Sequence, residues 1–261
     1  MSESVGSKAI SDAIRGSSGP AICAYVTAGY PTLESFSDVL TAVARSATVV
    51  EIGVPFTDPM ADGLTIQRAS HVALGNGVTL EWIFELLADQ QQGLGAPHLL
   101  MGYYNPFLAF GLGRLASAMI DTRTSGLIVP DLPLEEDAPV SEVLESAGLA
   151  LVKLVTPTTS PDRLARIAAT SRGFVYAVTR TAVTGGEAEL GVEEFAYLDR
   201  VRSAASLPVM AGFGVRSRYQ VEALSAHVDG VIVGSALIDA IDRGEDPGAF
   251  LDGLRVVEVQ T

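Results

Sequence analysis

Glu51, Asp58 and Asp62 stand in EIGVPFTDPMADGLTIQ, residues 51 to 67, directly after the apolar run SATVV. A carboxyl at the end of an apolar strand is partly desolvated, which raises its pKa and lets it donate as well as accept a proton near neutrality. Asp62, eleven residues on, sits on the adjoining loop, where it can stay ionised and serve as acceptor or electrostatic partner. Two carboxyls in different environments divide acid and base roles between them. Asp, Pro and Gly are also what ordinary solvated turns use, so the stretch gains its meaning from the element that carries it.

Two further fragments concern an anion. AGFGV (211–215) and VGSAL (233–237) each place glycine where an apolar run gives way to a helix. Backbone N–H groups can approach a phosphate closely there, at the positive end of the helix dipole. Ser235 adds a hydroxyl donor at an expected N-cap. The polar segment TRTAVTGGEAELG (179–191), with Gly185–Gly186, is a loop long enough to move towards them. A cradle of backbone N–H groups suits a chain with only two lysines, Lys8 and Lys153. The chemistry indicated is proton transfer on a small phosphorylated molecule, with no metal and no bound cofactor.

The elements that must position these groups are legible as eight near-continuous apolar runs: 20–29, 47–53, 96–104, 125–131, 149–157, 173–179, 207–214 and 228–235. Continuous rather than alternating hydrophobicity is the pattern of strands covered on both faces. Segments with helical spacing lie between them, such as LESFSDVLTAVARSA, LEWIFELLADQQ, EEDAPVSEVLESAG, SPDRLARIAATS, VEEFAYLDRVRSAA and RSRYQVEALSA. Eight alternations predict a single (β/α)8 barrel over residues 1–261, with extra helices at 7–15 and 236–257. A doubly wound sheet would announce a G-x-G-x-x-G turn after its first strand; here that turn reads TAGYPTLES. In a barrel, reacting groups gather at the C-terminal ends of the strands, which is where Glu51, Tyr176 and both glycine fragments fall.

Composition narrows the partners. A formal charge of -14 argues against nucleic acid and anionic membrane surfaces, and any anionic ligand must be held locally against the overall field. No apolar stretch reaches the roughly 18 residues of a membrane span, and MSESVGSKAISDAIRG does not read as a signal peptide. The lone cysteine, Cys23, reads as a small buried hydrophobe and fits a reducing cytoplasm. His71, His98 and His227 are scattered without ligand spacing, so no metal site is expected.

EIGVPFTDPMADGLTIQ, MGYYNPF, IVPDLPLEE, VYAVTRTAVTG, AGFGV and VGSA, in this order and spacing, resemble the tryptophan synthase alpha chain family over nearly the whole sequence. The resemblance implies a lyase that cleaves indole-3-glycerol phosphate to indole and glyceraldehyde 3-phosphate in tryptophan biosynthesis. It also implies passage of indole to a beta chain that carries pyridoxal phosphate, within an alpha2beta2 complex, and no cofactor in this chain. By position it makes Glu51 the group that protonates indole C3, Asp62 the acceptor for the indole N–H, and Tyr176 their neighbour. Thr184 matches the loop residue that closes over the site. Gly185, Phe213, Gly214, Gly234 and Ser235 match the phosphate cradle, and Tyr25 and Met101 the indole pocket. Pro55, Asp58, Pro59, Asn105 and Pro106 match the surface that meets the beta chain. Two positions depart from the family pattern: Leu64 replaces a proline and Ala182 a glycine, which puts the setting of Asp62 and the closing of loop 179–191 in question. Three alternatives stay open: Schiff-base chemistry at Lys153, a catalytically weak allosteric subunit, and a free-standing lyase.

Overall fold

In the computed structural model of the protein, the structure describes residues 4–90, 94–179, 191–212 and 214–256. Eight parallel strands close in sequence order into a barrel: β1 Ala21–Thr27, β2 Val49–Gly53, β3 His98–Met101, β4 Gly126–Ile128, β5 Ala150–Val155, β6 Val175–Val178, β7 Val209–Gly212 and β8 Gly230–Val233. Each strand lies inside one of the eight apolar runs. The (β/α)8 architecture is as the alternation predicted.

The strands are hydrophobic throughout because both faces are covered. Inward residues, among them Cys23, Val49, Leu99, Phe174, Met210 and Ile232, fill the barrel. Outward residues such as Ile22, Val50, Leu100 and Val175 pack against the ring of helices. Among the described residues that ring comprises α2 Leu33–Ser46, α3 Leu64–Gly75, α4 Leu80–Asp89, α5 Tyr104–Phe110, α6 Leu112–Asp121, α7 Ala138–Ser146, α8 Pro161–Thr170, α9 Val192–Ala204, α10 Arg218–Leu224, α11 Ser235–Asp242 and α12 Pro247–Leu254.

Helix α1, Val5–Arg15, precedes the barrel. Its N-cap Ser4 accepts from Ser7 N, and Ser7 Oγ in turn accepts from Gly173 N at 2.8 Å. Ile10 and Ile14 join the barrel interior from below, so α1 stops the N-terminal end and the open mouth is at the other. The expected helical segment 236–257 is two helices, parted at Gly244, whose φ is 74°, and restarted by Asp246, whose side chain accepts from Ala249 N. The helical spacing picked out above did not include α5 and α6. Gly111 separates them with a φ of 92°, and Pro106 is tolerated because it lies in the first turn of α5.

Candidate active site

Glu51 sits mid-strand in β2, paired with Tyr25 of β1 on one side and Leu99 of β3 on the other. Its side chain turns into the barrel and is wholly buried. One oxygen, Oε1, accepts from Cys23 Sγ at 3.3 Å, while Oε2 has no partner among the described residues. Burial pushes this carboxyl up to about 7, and the thiol hydrogen bond pulls it slightly back. The group is therefore poised to exchange a proton near neutrality.

Asp62 lies on the loop between β2 and α3, half-buried. Burial also raises it, to about 6, against the lowering effect of Tyr103, whose Oη donates to Asp62 Oδ2 at 3.2 Å. The same Tyr103 oxygen accepts from Ala61 N at 2.8 Å, and its ring stacks on Phe56 at 5.2 Å between centroids. The loop backbone is held at both ends. Asp62 N donates to Pro59 O at 3.1 Å, and Gln67 Nε2 donates to Asp62 O at 2.8 Å. Leu64, at the position where the resemblance implies a proline, is the first residue of α3, a position where proline is favoured because its missing N–H would have no helical partner anyway. Leucine there forfeits some backbone stiffness and no hydrogen bond of the turn.

Tyr25 and Tyr176 are buried beside Glu51. Burial, with the carboxylates adding to it, pushes both phenols above their ordinary range, so both stay neutral. Each lies across a glycine of the adjacent strand. A Cβ on Gly53 would meet Tyr25 Oη at 2.1 Å, and one on Gly212 would meet Tyr176 Oη at 2.3 Å. Glycine is required at both by close approach. At Gly214 the reason is conformation, since its φ is 81°.

Tyr25, Glu51, Asp62, Met101, Tyr176, Gly214, Gly234 and Ser235 line one cavity of about 70 Å³ at the mouth, with Arg216 on its rim. A second cavity, of about 450 Å³, shares Asp62 and Met101 as walls and runs on past Pro130, Leu132 and Leu154. The mouth is thus divided: an end bounded by Gly214, Gly234 and Ser235, and a larger cavity of mixed character beyond Met101, where Val129, Leu132 and Leu154 give way to Asp137, Lys153 and Arg163, with Asp62 between the two. Thr184, Gly185, Phe213 and Ala182 lie outside the described residues. Among the expected surface positions, Asp58 and Asn105 are exposed, Pro59 and Pro106 half-buried, and Pro55 buried. Sequence reasoning missed Tyr103, which was visible only as part of MGYYNPF, and Arg216, whose guanidinium meets Asp239 at 2.9 Å.

Lys153 is no free amine. It faces outward on β5, in the same alternation as Leu151 and Val155, where it pairs with Asp137 and donates to Thr170 Oγ1 at 3.0 Å. Among the described residues no group of three or more His, Cys, Asp or Glu side chains could hold a metal ion, and no helix is long and apolar enough to cross a membrane.

Fold and mouth together define an acid–base (β/α)8 barrel, with paired carboxyls on loop and strand two and glycine-rich turns after strands seven and eight. The sequence pattern of the tryptophan synthase alpha chain family matches residues 12–256, and the chain belongs to that family. It is 44% identical over 240 residues to the tryptophan synthase alpha chain of Roseiflexus sp. (strain RS-1), covering 91% of this chain and 92% of the relative. Against that of Solidesulfovibrio magneticus it is 42% identical over 252 residues, covering 96% and 98%. A solved chain of Mycobacterium tuberculosis tryptophan synthase superposes with a TM-score of 0.86 at 32% identity, covering 98% of this chain and all of that one. One from the Pyrococcus furiosus tryptophan synthase complex gives 0.81 at 31%, covering 90% and 98%.

Proposed function

We propose that the protein is the lyase subunit that cleaves indole-3-glycerol phosphate to indole and glyceraldehyde 3-phosphate, a step of tryptophan biosynthesis. The observation that carries this reading is a fully buried Glu51 whose Oε2 has no partner among the described residues, in the same cavity as Asp62, Gly214, Gly234 and Ser235. The substrate's phosphate fits the edge formed by Gly214, Gly234 and Ser235. Its ring fits the stretch of the larger cavity walled by Met101, Val129, Leu132 and Leu154, next to Asp62, which can accept from the ring N–H.

The reaction then balances as follows. Protonated Glu51 gives its proton to indole C3, and the positive charge that appears on the ring nitrogen is stabilised by the Asp62 carboxylate. Glu51, now ionised, takes the proton of the adjacent glycerol hydroxyl. The C–C bond breaks, its electron pair returns to the ring to restore indole, and the hydroxyl carbon leaves as the aldehyde. Tyr176, beside Glu51, keeps water from the carboxyl. No cofactor is needed in this chain.

Asp58, Pro59, Asn105 and Pro106 lie on the mouth side around loops two and three, with exposed Met60 and Leu108 near them in sequence. This is the face we assign to a beta chain carrying pyridoxal phosphate, in an alpha2beta2 assembly; Pro55, expected on it, is buried and so is not part of the exposed surface. Such an enzyme works in the cytoplasm. The test is indole release from indole-3-glycerol phosphate, with and without a beta chain, beside Glu51→Gln and Asp62→Asn. Slow release alone, acceleration by the partner and loss in both variants are expected. Stimulation of the beta reaction without any cleavage would replace the lyase by an allosteric subunit, and full-rate cleavage without the partner would make it a free-standing lyase.

A further inference from the structure

Cys23 is the protein's only cysteine, and it lies wholly buried on the inner face of β1. Its register partners are Val49 and Ile232, so its own layer of the barrel is apolar. Glu51 stands one inward step above Val49, and yet its carboxyl reaches down to the thiol. Among the described residues Cys23 is the only side chain with a hydrogen bond to that carboxyl, and Oε2 is left bare. An aliphatic residue at position 23 would pack equally well and would leave both oxygens orphaned. We propose that Cys23 is a positioning residue for the proton transfer: its thiol holds Glu51 Oε1 and so reserves Oε2 as the oxygen that carries the travelling proton.

This rests on the acid–base reading given above. Besides Cys23, the titratable and charged groups facing Glu51 or its cavity among the described residues are Tyr25 from β1, Tyr176 from β6, Asp62 from the loop after β2 and Arg216 from the turn after β7, itself paired with Asp239; β3 presents Leu99. Burial and the neighbouring Glu51 push the Cys23 thiol well above its ordinary range, so it stays a donor. Donation favours the ionised carboxylate, so removing the donor raises the proton affinity of Glu51.

One cysteine gives one S–H stretching band, which permits a readout independent of turnover. In the wild-type protein the band is expected to move to lower frequency as pH rises through 7, because a carboxylate accepts more strongly than a carboxyl. In Glu51→Gln it should not move with pH. In Cys23→Val the alkaline limb of the kcat/KM profile should shift upward by about half a pH unit, and Cys23→Ser, which keeps a donor, should return it towards wild type. A band at the free-thiol position that ignores pH, or superimposable profiles for wild type and Cys23→Val, overturns the proposal. If the wild-type protein fails to cleave indole-3-glycerol phosphate, the lyase reading fails while the infrared titration still decides the contact. If Cys23→Val does not fold, the comparison of wild type with Glu51→Gln decides it.

Discussion

Burying the Glu51 carboxyl makes its proton affinity part of the stability of the fold. Its native pKa, about 7, lies above the ordinary 4.5, so between those values the native state holds a proton that the unfolded chain has lost. The sign follows directly: stability is fully present below about 4.5 and falls as pH rises through 7. Two to three pH units correspond to about 3 kcal/mol, and Glu51→Gln removes the dependence. Urea titrations should therefore show the variant gaining on wild type between pH 5 and 8, and parallel curves would contradict the burial argument. Activity reads the same groups. With Asp62 raised to about 6 and required as the anion, and Glu51 required with its proton, kcat/KM of the isolated chain should trace a narrow bell limited near 6 and 7, the limbs belonging to the coupled pair. A flat profile from pH 5 to 9 would exclude this division of roles. At this scale the sequence is eloquent about Glu51 and Asp62, because a carboxyl within an apolar run is chemically conspicuous, although Glu51 stands mid-strand in β2 and not at its end. It says little about Cys23 and Tyr103. Their contacts cross 28 and 41 residues of chain respectively, and no local pattern encodes such a meeting.

Strands and loops hold these groups by a few steric decisions. β7 ends in Gly212 because the Tyr176 ring of β6 occupies the space a side chain would need. Gly212→Ala would force the ring away from Glu51, so kcat should fall at least tenfold while the far-UV circular dichroism stays that of a barrel. Unchanged kcat would show that the ring is free to move. Loop two is tied to loop three through Tyr103. Tyr103→Phe deletes the donor to Asp62 but keeps the ring against Phe56, so the acid limb should rise by about half a pH unit and kcat/KM should fall several-fold. A profile identical to wild type would mean that the loop holds Asp62 without it. All eight strands were readable as apolar runs, since burial on both faces demands hydrophobicity at every position. Their ends were not, because pairing stops where a neighbour stops. The run APHLLMGYY, for instance, yields only His98–Met101 as strand, with Tyr103 and Tyr104 already turning into α5. Helices α5 and α6 were not picked out at all: they are short, and Gly111, with a φ of 92°, breaks the helical spacing between them.

The whole molecule separates what stabilises it from what reacts. Helix α1 closes the N-terminal end with Ile10, fully buried against the barrel interior, while Glu51, Asp62 and the glycine turns occupy the C-terminal mouth. In a barrel the two ends communicate only through the packed interior, so a defect at the bottom lowers the stability of every strand alike and leaves the mouth's geometry intact in the folded molecules. Ile10→Ala removes three methyl-sized groups from a filled interior and should cost about 3 kcal/mol, lowering Tm by roughly 5–10 °C for a chain of this size, with KM for indole-3-glycerol phosphate within twofold of wild type below the transition. Met101→Ala makes the opposite test. Met101 is half-buried at the wall shared by the two cavities, so its truncation should raise KM several-fold with little change in Tm. If Ile10→Ala raised KM as much as Met101→Ala, the interior would be transmitting strain from floor to mouth, and the site could not be treated as loops mounted on a rigid support.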